Sequence, residues 1–214
     1  CTATTPTYYY ANSENTKRTH DASMPHEEYE NGFCPICDGY EPATDSDGDG
    51  YLEIGNAGQL FWFAEQVNAG RNYINAVLTA DIDLENRQWT PIGIYSDAYD
   101  YPRYKYTGTF DGQNHVIKYL NVHVTDGSEA GLFSRGFLAT LRNFGVINAT
   151  VINDSPQSVR AGVLAGEFDQ CTVSNVFSAG NLVVITSNKQ KGGIAGECNQ
   201  SPLTNCYTTY DILT

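Results

Sequence analysis

The sequence predicts an all-β fold, a parallel β-helix entered through a short capping helix, and three observations carry that prediction. A glycine-bearing phrase returns along the C-terminal half: Ala130-Gly131-Leu132-Phe133-Ser134, Gly162-Val163-Leu164-Ala165-Gly166 and Gly193-Ile194-Ala195-Gly196. Each copy is followed by an apolar-x-Asn-apolar step: Leu141-Arg142-Asn143-Phe144, Val173-Ser174-Asn175-Val176 and Leu203-Thr204-Asn205-Cys206. These asparagines stand 32 and then 30 residues apart. A fixed period of this size marks a repeat architecture, in which each unit buries its apolar face against the next. Between the phrases lie short β-type runs split by Gly and Asn corners, and roughly three strands in about 30 residues fit one coil of a parallel β-helix.

Residues 1–44 come first and lack periodicity. They are rich in Thr, Tyr, Ser, Asn and Glu and poor in aliphatics. Such a segment cannot build its own core, so it is expected to be stapled by a metal or a disulfide, docked on the remainder, or mobile. Residues 45–214 form the predicted β-helix domain. Its loop at 45–56 leads into a short strand at Tyr51 to Ile54. Asn56 and Gln59 then read as a capping box, with Asn56 as N-cap and Gln59 reaching back. Leu60, Phe61, Phe63, Ala64 and Val67 make one apolar stripe at helical spacing, and Gly70 is a C-terminal stop; together they predict a helix over 57–69.

Rungs are expected over 76–214. The early ones are Ala76 to Leu78, Ile82 to Leu84 and Trp89 to Ile92, and Thr107 to Asp111 is a strand entering a tight turn with Gly112 at φ > 0. Val116 to Val122 reads as one strand. The helix lies just before the first rung, where it can cover an otherwise sticky solenoid end. Tyr207 to Thr214 looks like the start of a strand with nothing after it. Leu141, Val173 and Leu203 are expected in one inward column.

Composition narrows the function classes. The chain has 214 residues, a formal net charge of -13 and 12 Lys and Arg, so no basic patch suits a phosphate backbone and nucleic acid is excluded as a partner. No apolar run reaches the roughly 18 residues of a membrane span. Acidic sequence rich in Asn, Thr, Gly and Tyr suits an extracellular protein. Cys1 is read as a chain boundary, as the acylated first residue of a mature lipoprotein, as a metal ligand or as half of a disulfide, and the precursor is expected to be longer. Cys198 and Cys206 match Phe168 and Val176 in the repeat and read as small buried core residues; Cys171 matches Ser201 and reads as a turn residue.

Three constellations carry chemistry. Asp45, Asp47 and Asp49 alternate, Gly50 follows, the Tyr51 carbonyl falls at the seventh position and Glu53 at the ninth. Hard oxygen ligands on alternate residues, with a glycine for the sharp turn, are the front half of an EF-hand-type Ca²⁺ loop. The twelfth position is Asn56 rather than a bidentate Glu, which lowers the expected affinity. The second constellation is His26 with Cys34-Pro35-Ile36-Cys37. Two Cys separated by two residues chelate Zn²⁺ as thiolates, with His26 as a third ligand and His20 or Cys1 as candidates for the fourth. A Cys34–Cys37 disulfide, a longer-range disulfide and free thiols remain open beside zinc. The third is the aromatic insert Tyr95, Tyr99, Tyr101, Tyr104 and Tyr106, where rings beside Asp97 and Asp100 suit sugars or a protein partner.

Catalysis has little support at this level. Asp111, Asp169 and Glu197 fall on rungs, but no two carboxylates share a repeat position, Asp111 reads as a turn residue, and His115 and His123 lack an obvious nucleophile. The chain is therefore expected to be non-catalytic.

The GLFS, VLAG and GIAG phrases, each with its Asn-apolar step, resemble the GLUG-motif repeats of bacterial surface proteins. The stretches Gly58 to Ala64, Leu78 to Leu84, Trp89 to Gly93 and Gly108 to Gly112 look like the N-terminal cap and first rungs of that family, so the resemblance spans about residues 51–210. It implies a right-handed β-helix and an adhesin-like or spacer role in a secreted or surface-attached protein. The expected partners are a host or bacterial surface protein, a glycan, or further copies of the chain as in a filament; the rival expectation is a carbohydrate-binding or polysaccharide-degrading domain on the same fold. The run Gly32 to Gly39 likewise resembles a zinc knuckle of the small modules that precede bacterial surface domains.

Overall fold

The repeated phrases become stacked rungs because each apolar position meets its own copy one coil later. The computed structural model describes residues 8–11, 16–19, 29–35, 37, 39–93, 105–156, 160–180, 185–187 and 189–209. It is a parallel β-solenoid of about four turns. Two short strands, β1 (Tyr8–Ala11) and β2 (Thr16–Thr19), pair antiparallel within the segment read as aperiodic. The broadest sheet stacks β3 (Tyr51–Ile54), β4 (Asn75–Leu78), β6 (Thr109–Lys118), β9 (Thr140–Ile147) and β13 (Thr172–Ala179), with β5 (Ile82–Asp83) beside β6. It ends on β17 (Leu203–Thr204) and β18 (Tyr207–Thr208), which both pair with β13.

A second ladder stacks β8 (Phe133–Phe137), β12 (Ala165–Asp169) and β16 (Ala195–Asn199). A third stacks β7 (Asn121–Val124), β10 (Thr150–Asn153) and β14 (Ile185–Thr186), and a two-stranded patch joins β11 (Ala161–Gly162) to β15 (Lys191–Gly192).

Corners are turned by left-handed residues in columns. Leu138, Gln170 and Gln200 have φ of 54°, 54° and 47°, and Asn143, Asn175 and Asn205 have φ of 59°, 53° and 52°. Asn tolerates this region better than most L-residues, which is one reason the phrase carries it. Tyr119 at φ 57° splits the strand expected over 116–122 into β6 and β7. The turn expected at Gly112 also moves: the positive φ values fall on Gln113 (47°) and Asn114 (69°) inside β6, where the register with β9 shifts between Asp111 and His115. Gly112 is required for another reason, since a Cβ there would collide with the Cβ of Phe144.

The helix α1 (Ala57–Asn68) forms as read. Asn56 Oδ1 accepts from the Gln59 N–H at 2.9 Å, while Gln59 Oε1 accepts from Gly55 N–H at 2.7 Å, one residue before the N-cap. Phe61 and Phe63 drop into the first coil, Phe61 edge-on to Trp89 at 4.8 Å and Phe63 against Tyr106 at 5.9 Å and Phe110 at 6.0 Å. Each such ring removed from water contributes about 1.5–3 kcal/mol.

The stretch from Tyr29 to Thr44 is docked on this cap. Phe33 is buried against Phe61 (5.5 Å), with the Arg87 guanidinium 3.9 Å above its ring. Asn31 carbonyl accepts from the Gly58 N–H at 3.0 Å, and Gly32 meets Gly58 so closely that a Cβ on either would strike backbone. Phe33 and Ala43 thus belong to the solenoid core, and packing does not break at residue 44.

Inside, Leu141 and Val173 are fully buried in one column. Leu203 is in register with Val173 but 42% exposed, because among the described residues no rung lies beyond it. The same reason corrects the cysteine reading: Cys198 is exposed and Cys206 half-buried, although they occupy inward positions. Cys171, expected on a turn, is buried, and burial pushes its thiol up to about 11.

Candidate functional site

The C-terminal part of α1 and the extended stretch of Gln88 to Thr90 line a cleft of about 570 Å³. The half-buried Tyr40 and the buried Phe61 form its aromatic side. Gln66, Asn68 and Gln88 supply amides, Thr90 a hydroxyl and Glu65 a carboxyl, whose pKa partial burial raises from its ordinary value. Tyr40 lies 5.3 Å from Phe61, so the aromatic wall exists only because the 29–44 segment is docked. Asn68 ties the rim to the chain beyond: its Oδ1 accepts from Gly93 N–H at 2.8 Å and its Nδ2 donates to the Pro91 carbonyl at 3.0 Å. Asn72 Nδ2 donates to the Lys105 carbonyl at 2.8 Å. Gly93 and Lys105, on either side of the tyrosine insert, are therefore held by Asn68 at the end of α1 and by Asn72 in the turn after it.

Tyr95, Tyr99, Tyr101 and Tyr104 lie outside the described residues. Tyr106 is corrected: it is fully buried, its hydroxyl donates to the Ile74 carbonyl at 3.1 Å, and it packs on Phe63 and Phe133. Its alternation in the sequence suited a surface insert, but its ring fills the space under the helix and cannot meet a ligand.

The aspartate loop is exposed, and carboxylate oxygens of Asp45, Asp47 and Asp49 lie within 4.8 Å of one another. Asp45 accepts from Gly48 and Gly50 N–H, Asp47 from Asp49 N–H and Asp49 from Tyr51 N–H, which curls the loop around its own carboxylates. Glu53, on β3, takes the Ser46 hydroxyl at 2.8 Å and stands outside this trio. The trio has the hard-oxygen chemistry for Ca²⁺, with fewer protein ligands than a full EF-hand loop.

Cys34 and Cys37 are both buried in the tight turn closed by Cys34 N–H to the Gly39 carbonyl at 2.7 Å. Cys34 is a free thiol. His26, His20 and Cys1 lie outside the described residues.

One arrangement escaped the sequence reading. Glu167 and Glu197 do share a repeat position, in register with Arg135 one rung earlier. Arg160 reaches over this column to Glu129 (2.8 Å), Glu167 (3.0 Å) and Glu197, and Arg135 reaches Glu129 (3.2 Å) and Glu167 (3.0 Å). Burial works against the Arg160 charge, but Glu129, Glu167 and Glu197 outweigh it and raise its pKa. The three carboxylates share two guanidinium groups and each contacts at least one of them, so the column clamps neighbouring rungs. The signal was present as a Glu at matching offsets in two copies, masked by Arg135 in the first.

A smaller cleft of about 180 Å³ adjoins the first across Gln88 and Thr90 and is lined by Pro91, His123, Asp126 and Ser128 among others. His123 Nε2 pairs with Asp154 at 2.9 Å. His115 pairs with Asp81 at 3.3 Å on the surface.

Among the described residues no helix is long and apolar enough to cross a membrane. No protein-family model matches the chain. Over 124 residues, 56% of this chain and 1% of the relative's length, it is 27% identical to Halomucin of Haloquadratum walsbyi. It is similar in structure to a Bacteroides ovatus protein named as a putative immunoglobulin A1 protease. The TM-score is 0.58 and the identity 24%, over 78% of this chain and 49% of that one. The chain thus spans a hundredth of one relative and half of the other. The likeness shows the fold, and together the two comparisons fit an extracellular β-helix module. The protease name also overturns the expectation that the chain is non-catalytic, and that assignment is withdrawn.

Proposed function

We propose that the chain is a secreted or cell-surface β-solenoid module, of the GLUG-repeat kind, that holds a glycan or a surface protein in the cleft beside its capping helix. The observation that carries this reading is the lining itself. The half-buried Tyr40, packed on the buried Phe61, lines the cleft together with the amides of Gln66 and Gln88 and the hydroxyl of Thr90. Rings stack on the apolar faces of sugars while amides and hydroxyls satisfy sugar hydroxyls; the same mixture anchors protein partners. Tyr95, Tyr99, Tyr101 and Tyr104 belong to the proposal as a further recognition segment. Two metals belong to the proposal. Ca²⁺ on Asp45, Asp47 and Asp49 with the Tyr51 carbonyl would stiffen the entry to β3. Zn²⁺ on Cys34, Cys37 and His26, with His20 or Cys1, would staple the segment that carries Tyr40.

The test is a glycan and surface-protein binding screen with the intact chain, repeated with Gln66→Ala plus Gln88→Ala and with Tyr99, Tyr101 and Tyr104 changed to Ala. A tenfold or greater loss in the first variant supports the cleft. Binding unchanged in both variants overturns it.

A second reading, favoured by His123, paired with Asp154 and lining the smaller cleft, is that the solenoid serves a secreted peptidase. Incubation with immunoglobulin A1 tests it: cleavage that disappears in His123→Ala would support it, and an intact substrate would sink it.

A further inference from the structure

The two clefts share a wall. Gln88 and Thr90 line both, and Trp89 between them is buried, so the two flanking side chains leave the backbone on its outer side. Gln88 bridges Asn121 in parallel, and the Trp89 N–H donates to the Asn121 carbonyl at 2.8 Å. The stretch of Gln88 to Thr90 and the one that carries His123 are therefore neighbouring rungs. The larger cleft lies on the α1 side of Gln88 and Thr90, and the smaller one on the side of His123 and Asp126. The depression thus runs across the rungs, along the solenoid axis. At about 180 Å³ the smaller cleft falls below the roughly 300–1,000 Å³ of an ordinary ligand pocket, so it serves a ligand that already occupies the larger one.

A carboxyl stands in each cleft. Glu65 lines the larger and Asp126 the smaller, and among the described residues no Lys or Arg lines either. Burial raises the Glu65 pKa, and no neighbouring cation offsets it. Asp126 Oδ1 accepts from the Ser128 N–H at 3.0 Å, while the nearby imidazole of His123 is paired with Asp154 at 2.9 Å. A carboxylate that loses hydration without a partner is stabilised by a cation that the ligand brings, and an anionic ligand would be repelled in both clefts. Between the two carboxyls, the exposed side chains of Gln88 and Thr90 offer hydrogen bonds and no apolar anchor of the kind that holds a protein partner. Like charges set apart along one line match a polymer that repeats one cationic unit.

We propose that the two clefts are one groove and that its occupant is a linear glycan of 2-amino sugars, lying along the solenoid axis with ammonium groups at Glu65 and Asp126. Its hydroxyls meet Gln66, Gln88 and Thr90, and one sugar face meets the Tyr40 ring. This inference rests on the reading that the larger cleft holds a ligand, and it selects the glycan over the protein.

The probe is a series of β-1,4-linked glucosamine oligomers of one to six units, titrated into the intact chain by calorimetry at mildly acidic pH. Cello-oligosaccharides of equal length differ from them only at C2, where a hydroxyl replaces the amine. The glucosamine hexamer should bind about tenfold or more tighter than its dimer and than cellohexaose, and oligogalacturonate should not bind. Glu65→Gln with Asp126→Asn keeps the shape of both side chains and should erase the preference for the amine. Asp126→Asn alone should flatten the gain with length, since only longer chains reach it. Asp47→Asn with Asp49→Asn removes the same charge from a loop that lines neither cleft and should leave the preference within about twofold. No binding of the hexamer at millimolar concentration, equal affinity for the two sugar series, no gain beyond the dimer, or an equal loss in the loop variant would overturn the proposal. If Gln66→Ala with Gln88→Ala still weakens binding of another glycan or a protein, only the amino-sugar groove falls. If that variant binds every ligand as before, the cleft falls with it.

Discussion

Among the described residues, the first and last rungs of the solenoid are of the same kind and lie in opposite environments. At the N-terminal end, α1 lays Phe61 and Phe63 on Trp89, Tyr106 and Phe110, and Phe33 seals the outside of the helix. Every one of those rings is buried. At the C-terminal end, Leu203 and Tyr207 are 42% and 54% exposed and Cys198 faces solvent. Among the described residues, matching repeat positions therefore differ in environment by whether a described rung follows. A solenoid's stability is a sum over nearest neighbours, so a residue's worth depends on its rung as much as on its type.

The largest expected effect breaks the middle of the stack. Val173→Asp buries an unpaired charge between Leu141 and Leu203 and should cost roughly 5 kcal/mol in urea unfolding, whereas Leu203→Asp, in the same column, should cost under about 1 kcal/mol. Equal losses would mean that the open end is covered in solution. Next, Phe63→Ala removes the ring that plugs the first coil and should cost roughly 4 kcal/mol, against less than about 1 kcal/mol for Tyr207→Ala.

Calcium should sharpen the contrast at the capped end. A site that binds only the folded chain stabilises it by about 1.4 kcal/mol at ten times its Kd, read as a rise in melting temperature over an EDTA control. A rise that survives Asp47→Ala would remove the site from Asp45, Asp47 and Asp49. The smallest effect concerns Asp111, whose Oδ1 accepts from Asn143 Nδ2 at 3.0 Å at the start of a ladder of side-chain amides through Asn143, Asn175 and Asn205. Burial opposes the Asp111 charge, but the Gln113 N–H, Asn143 and Arg142 outweigh it and lower its pKa. Its stabilisation is therefore complete above the unfolded pKa near about 4 and is lost as pH falls through the lower folded value. Asp111→Asn should cost about 1 kcal/mol at neutral pH and abolish that acid dependence, while the Asn143 side-chain amide resonances shift. Unchanged resonances would show that the carboxylate does not orient the ladder.

Much of the fold could be read directly. The 32- and 30-residue spacing of Asn143, Asn175 and Asn205 located one corner column, and Asn56, Gln59 and Gly70 located both ends of α1. The candidate site was far less legible. Tyr106 belongs by spacing to a tyrosine insert, and only its place beneath Phe63 makes it a core ring. Tyr40 drew no attention, because its neighbour Phe61 lies 21 residues away and they meet through a docked loop.

What the sequence alone determined is what adjacent residues decide among themselves: helix caps, left-handed asparagine corners, the in–out alternation of each strand and the period that stacks them. Tertiary structure decided what requires two distant segments to arrive in register. Glu167 and Glu197 became a shared column with Arg135, Arg160 crossed it to reach Glu129, and residues 29–44 closed one side of a cleft. Local choices follow from backbone sterics and hydrogen bonding within a few residues. A charge's partner and a ring's burial depend instead on which rung lies above it, and that is settled only when the coils stack.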